Sequence, residues 1–174
     1  MKRFVMFVAY MLVVAAVILF AACKKITAAP DVAVRAMCAA EVLLPAGNLY
    51  YTDAAEGNES YLPSALLADA YGIPNDFNGI EKAAIWLSGG GHPTEFAVFL
   101  CKDADSAEDV SLFCKNRLRA LSLNAVFSSK QAGMPREEYD GYISSAKVVI
   151  SGRYVALIIS SDPFTAQKAF LKSI

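Results

Sequence analysis

The chain has 174 residues, with 16 Lys and Arg against 17 Asp and Glu, one His, and a formal net charge of −1. Its 56% apolar content is high for a globular domain, but residues 4–23 form an unbroken apolar run, and without residues 1–23 the content falls to about 50%, which is ordinary. These figures exclude a multi-span membrane protein, a disordered chain and a disulfide-dense miniprotein, and the acidic balance after Cys23 argues against a nucleic-acid partner, which would need a basic surface.

The N-terminus reads as an export device. Lys2 and Arg3 form a short basic start, Phe4 to Ala22 carry no charge, and Lys24 and Lys25 follow Cys23. The segment Leu19-Phe20-Ala21-Ala22-Cys23 resembles the lipobox of bacterial lipoproteins, in which small residues precede a cysteine. That resemblance implies a diacylglycerol on the Cys23 sulfur and a mature chain that begins at Cys23. Two alternatives stay open. The uncharged run spans about 28 Å as a helix, close to the ~30 Å hydrocarbon core, so an uncleaved transmembrane anchor also fits. A plain secretory signal is the third reading. All three place the rest of the chain outside the cytoplasm. The organisation expected is residues 1–23 as signal peptide or anchor helix, 24–30 as a short tether, and 31–174 as one domain.

Beyond the tether, Asp31 is a helix cap, and Ala33, Ala36, Met37, Ala40, Leu43 and Leu44 fall on one helical face. The run Pro45-Ala46-Gly47-Asn48 ends that helix. Residues 48–60 read as a polar loop, and Leu62 to Tyr71 as a short helix with Pro63 in its first turn. Lys82–Leu87 and Glu95–Cys101 are predicted strands joined by a Gly-rich hairpin connection. Apolar residues on both faces of the second strand imply that it is covered on both sides, or that it is covered by a helix and a loop. The longest helix is predicted over Ser106 to Phe127, capped by Ser106 with Asp109 or by Asp105 with Glu108. Its buried stripe is Val110, Phe113, Cys114, Leu118, Leu121 and Ala125. Ser128 to Asp140 reads as a polar connection. Strands over 146–151 and 154–160 follow, joined by a Gly152-Arg153 turn. Asp162 before Pro163 starts the last helix. The order α, α, β, β, α, β, β, α predicts an α+β fold, an antiparallel sheet of about four strands packed with helices.

The chemistry-bearing residues are few. With Cys23 lipidated, Cys38, Cys101 and Cys114 remain, an odd number. They read as small buried apolar side chains, with a Cys101–Cys114 bridge as the best pairing. His92 lies in Gly89-Gly90-Gly91-His92-Pro93, which lacks the Lys-Ser/Thr of a phosphate loop and reads as a hairpin loop with positive-φ glycines. Asp103, Asp105, Glu108 and Asp109 break the calcium-loop pattern and suit helix capping. Arg136 to Asp140 reads as a solvated turn or short helix. Tyr50, Tyr51, Tyr61 and Tyr71 read as cover for a small core. No cofactor, metal or catalytic set is indicated.

Tyr71-Gly72-Ile73, the strand Glu95-Phe96-Ala97-Val98-Phe99, the Lys102-Asp103 step, the long helix with Arg117, the Gly152–Leu157 hairpin strand and the Asp162-led helix together resemble an uncharacterised family of small Gram-positive bacterial lipoproteins. The resemblance covers about Tyr71 to Phe170 and implies a fold and a location, with no catalytic or binding residues to carry over. The expectation is a lipid-anchored lipoprotein on the outer face of the cell membrane, attached through Cys23. Its domain would be a non-catalytic binding module for a cell-envelope protein. The alternative is a membrane-tethered hydrolase or small-ligand receptor built on His92, the acidic clusters or the tyrosine loop.

Overall fold

A computed structural model describes residues 46–174. The signal or anchor segment with Cys23, the tether, the helix expected after Asp31, and Cys38 lie outside the described residues. The elements run β1 (Gly47–Tyr51), α1 (Ser64–Tyr71), β2 (Ile80–Ser88), β3 (Glu95–Cys101), α2 (Ala104–Leu123), α3 (Ala125–Ala132), α4 (Arg136–Ser145), β4 (Lys147–Ser151), β5 (Tyr154–Ile159) and α5 (Pro163–Ser173). The architecture is α+β, and the strands form one antiparallel sheet in the order β1-β2-β3-β5-β4.

The strand period of two explains the layering. On one face Ala83, Ile85, Ala97, Phe99, Val155, Leu157 and Ile159 pack under α1 to α4. On the other, Ala84, Phe96, Val98, Val149, Ala156 and Ile158 pack with Ala166 and Phe170 of α5. The central strands β3 and β5 are therefore apolar on both sides, as the sequence predicted for β3. The β4–β5 hairpin turns at Gly152 with φ +57°, the sign that primed turns need. Asp162 caps α5 by accepting a bond from the Thr165 N–H at 3.0 Å, with Pro163 at the first helical position. Phe164 of α5 is exposed, with the Lys168 ammonium over its ring.

Four expectations are corrected. The sheet has five strands, because Gly47–Tyr51, expected as a helix stop and loop, forms an edge strand on β2 with Leu49 opposite Trp86. Gly47 is required there, since a Cβ would lie 2.3 Å from the Leu87 carbonyl oxygen. The long helix breaks at Asn124, whose side-chain amide donates to the Ala120 carbonyl at 3.0 Å and competes with the backbone ladder. Its cap is Asp103, which accepts from the Ser106 N–H at 2.7 Å, in place of Ser106 or Asp105. The polar stretch 128–140 is largely helical. It ends α3 at Gly133 (φ +66°) and opens α4 after Pro135. α4 buries only Tyr139 and Ile143, one turn apart, so its period is too sparse to read from sequence.

Candidate functional site

Glu95 opens β3 with its side chain on the helical face of the sheet. The side chain is 3% exposed. A bare carboxylate there would be prohibitive, and the fold surrounds it with donors. The Tyr71 hydroxyl, from the end of α1, donates to Oε1 at 2.6 Å. Arg117, from the middle of α2, donates to Oε2 through Nη2 at 2.9 Å and Nε at 3.2 Å. Burial, reinforced by the Glu95 charge, pushes the Tyr71 phenol well above its ordinary pKa. For Arg117, burial opposes the charge, but the Glu95 carboxylate outweighs it and raises the guanidinium pKa. The trio is a closed acid–base unit, neutral in sum, that ties α1 and α2 to the sheet.

Beside it lies a cleft of about 210 Å³ between the β2–β3 loop and helices α2 to α4. Glu95 and Arg117 line it together with His92, Ser88, Ser128 and Tyr139. The loop is built tightly: Gly90 and Gly91 take positive φ, and a Cβ on Gly91 would come within 3.1 Å of Gln131 Cγ on α3. The Ser88 hydroxyl donates to the His92 carbonyl. The Thr94 N–H donates to His92 Nδ1 at 3.3 Å, and the His92 ring meets Tyr142 of α4 edge to face at 5.2 Å. Gly90 and Gly91 thus have the expected conformation and Gly89 does not, and the loop is packed against α3 and α4.

The other candidates are scattered. Asp103 caps α2, and hydrogen bonding from Ser106, its side chain first and then its N–H, holds the carboxyl below the usual range. Neither it nor Glu137 lines the cleft with His92. Arg136 and Asp140 pair along the α4 surface at 3.3 Å. Among the described residues, no group of three His, Cys, Asp or Glu side chains is placed to hold a metal ion. Cys101 and Cys114 are buried free thiols, matching the apolar reading and replacing the bridge. Burial, with the Asp103 charge, pushes Cys101 up to about 11, and burial raises Cys114 further. Of the four tyrosines, Tyr71 is core, and Tyr50 and Tyr51 pack on opposite faces of the sheet.

Sequence reasoning missed the roles of Glu95 and Tyr139. The available signal was an acid heading an otherwise apolar strand. A second feature was also unforeseen. At the α2–α3 corner, Leu123 is 76% exposed and Phe127 73%, with Val126 beside them. They border a shallow hollow of about 240 Å³ with Asn124 and Lys130. No helix among the described residues is long and apolar enough to cross a membrane. No family model matches the chain, and no curated protein or solved structure matches it.

Proposed function

We propose that this chain is a lipoprotein anchored to the outer face of the cell membrane through Cys23, and that its α+β domain is a non-catalytic module that binds a cell-envelope protein. The reading includes membership of the small Gram-positive lipoprotein family that the sequence resembles. The observation that carries the binding part is the Leu123–Val126–Phe127 corner. Three neighbouring large apolar side chains face solvent at a helix break, flanked by Lys130. Such clusters mark contact surfaces, because leaving them in water is unfavourable. The anchoring part rests on Ala21-Ala22-Cys23 and the basic start.

Two measurements test it. Palmitate labelling of the full chain should tag the wild type and fail with Cys23→Ser, and a mature protein that keeps Met1 refutes lipidation. A photocrosslinking residue at position 127 should give a discrete adduct in intact cells, while one at Glu108, on the exposed start of α2, should not. Equal or no adducts at the two positions refute the interaction surface.

A further inference from the structure

We propose that the cleft beside Arg117 is a binding site for a small carboxylate. The first observation is Tyr139. Only 1% of this residue is exposed, yet its hydroxyl makes no hydrogen bond with any described residue. A buried phenol ordinarily finds a partner. The sealed, unpartnered side-chain atoms of the described residues are Trp86 Nε1 and Ser160 Oγ, and the Tyr139 oxygen is not one of them. Its sliver of exposure is therefore the cleft it lines.

The second observation is the balance of donors and acceptors. Arg117 uses Nε and Nη2 on Glu95, which leaves Nη1 without a hydrogen-bond partner among the described residues. Its charge lies near enough to Tyr139 for the phenol to raise the guanidinium pKa. His92 Nδ1 accepts from the Thr94 N–H, which assigns the neutral ring's proton to Nε2. Both Glu95 oxygens are engaged, and the Ser88 hydroxyl proton points to the His92 carbonyl. The cleft thus offers donors from Tyr139, Arg117 and His92, while both oxygens of its one carboxylate, Glu95, already accept bonds. Its occupant must bring acceptor oxygens.

A planar carboxylate has two, matched to a guanidinium N–H beside a phenol O–H. The Glu95 charge in the wall disfavours a dianion such as phosphate. A cleft of about 210 Å³ has room for a ligand with a few carbons beyond the carboxylate. This inference goes beyond the binding-module reading and does not depend on it, and it uses a different surface from the Phe127 corner.

The test is calorimetric titration of the full chain in detergent with propionate, propionamide and inorganic phosphate. Saturable propionate binding is expected, with the other two much weaker, and Tyr139→Phe should weaken propionate about tenfold, the loss of one charge-assisted bond. Thermal unfolding of Tyr139→Phe controls for its fold. If that variant is unstable, His92→Ala, in the loop, carries the same expectation. Absence of saturable propionate binding, equal affinity in the folded variant, or equal binding of propionamide or phosphate overturns the proposal. Propionate binding without crosslinking at 127 would refute the interaction surface alone, and the reverse would refute the carboxylate site alone.

Discussion

Replacing Glu95 by Gln keeps the shape of the side chain and removes its charge. Arg117 then holds a positive charge that is only 22% exposed, with an amide in place of its carboxylate partner. Tyr71 loses a charged acceptor and faces a group with half the accepting capacity. Breaking one side of a buried ion pair costs about 3–5 kcal/mol. The access Arg117 retains to the cleft places Glu95→Gln at the lower end, about 3 kcal/mol, which for a chain of this size lowers Tm by about 10 °C. Tyr71→Phe removes one bond to the carboxylate and should cost about 2 kcal/mol. The triple variant Glu95→Leu, Arg117→Met, Tyr71→Phe should lose less than Glu95→Gln, since the desolvation burden leaves with the charges. Urea unfolding followed by the fluorescence of Trp86, the single tryptophan, reads all three. Glu95→Gln within about 1 kcal/mol of the wild type would refute the claim that Arg117 depends on this carboxylate.

Further outcomes follow from the thiols and the glycines. Stability should decline as pH rises from about 9 toward about 11, because the unfolded Cys101 and Cys114 thiols ionise while the folded ones, Cys101 raised to about 11 and Cys114 further, stay protonated; Cys101→Ala should reduce that slope and leave the Cys114 part in unfolding titrations. Alkylation of the native protein followed by peptide mass spectrometry should leave Cys101 and Cys114 unmodified until denaturant is added, and labelling of either in the native state would contradict their burial. Gly79→Ala places a Cβ 2.6 Å from Phe77 Cζ and 2.8 Å from Ser106 Cβ. The first turn of α2 must shift, and a loss of about 1–3 kcal/mol is expected in the same urea assay, with an unchanged midpoint as the refuting result.

What was legible in the sequence is local. Phe96, Val98 and Leu100 alternating with Ala97, Phe99 and Cys101 announce β3, the Gly152-Arg153 pair announces the β4–β5 hairpin, and Asp162-Pro163 announces α5, because each signal lies within one turn or one strand. The misses have the same cause in reverse. β1 is five residues long and takes its conformation from pairing with β2, and α4 is held by two buried side chains whose partners lie elsewhere in the chain.

The apolar excess, the Ala21-Ala22-Cys23 step, the strand and helix periods and the final helix cap were determined by the sequence alone, since they depend on neighbours along the chain. The site was decided by the tertiary structure. Tyr71 and Glu95 are 24 residues apart and Glu95 and Arg117 are 22 apart, and they meet only because α1 and α2 pack on the same face of the sheet. The open hydroxyl of Tyr139 and the donors of the cleft beside it depend on that same packing, and burial by distant elements is what gives such groups their chemistry.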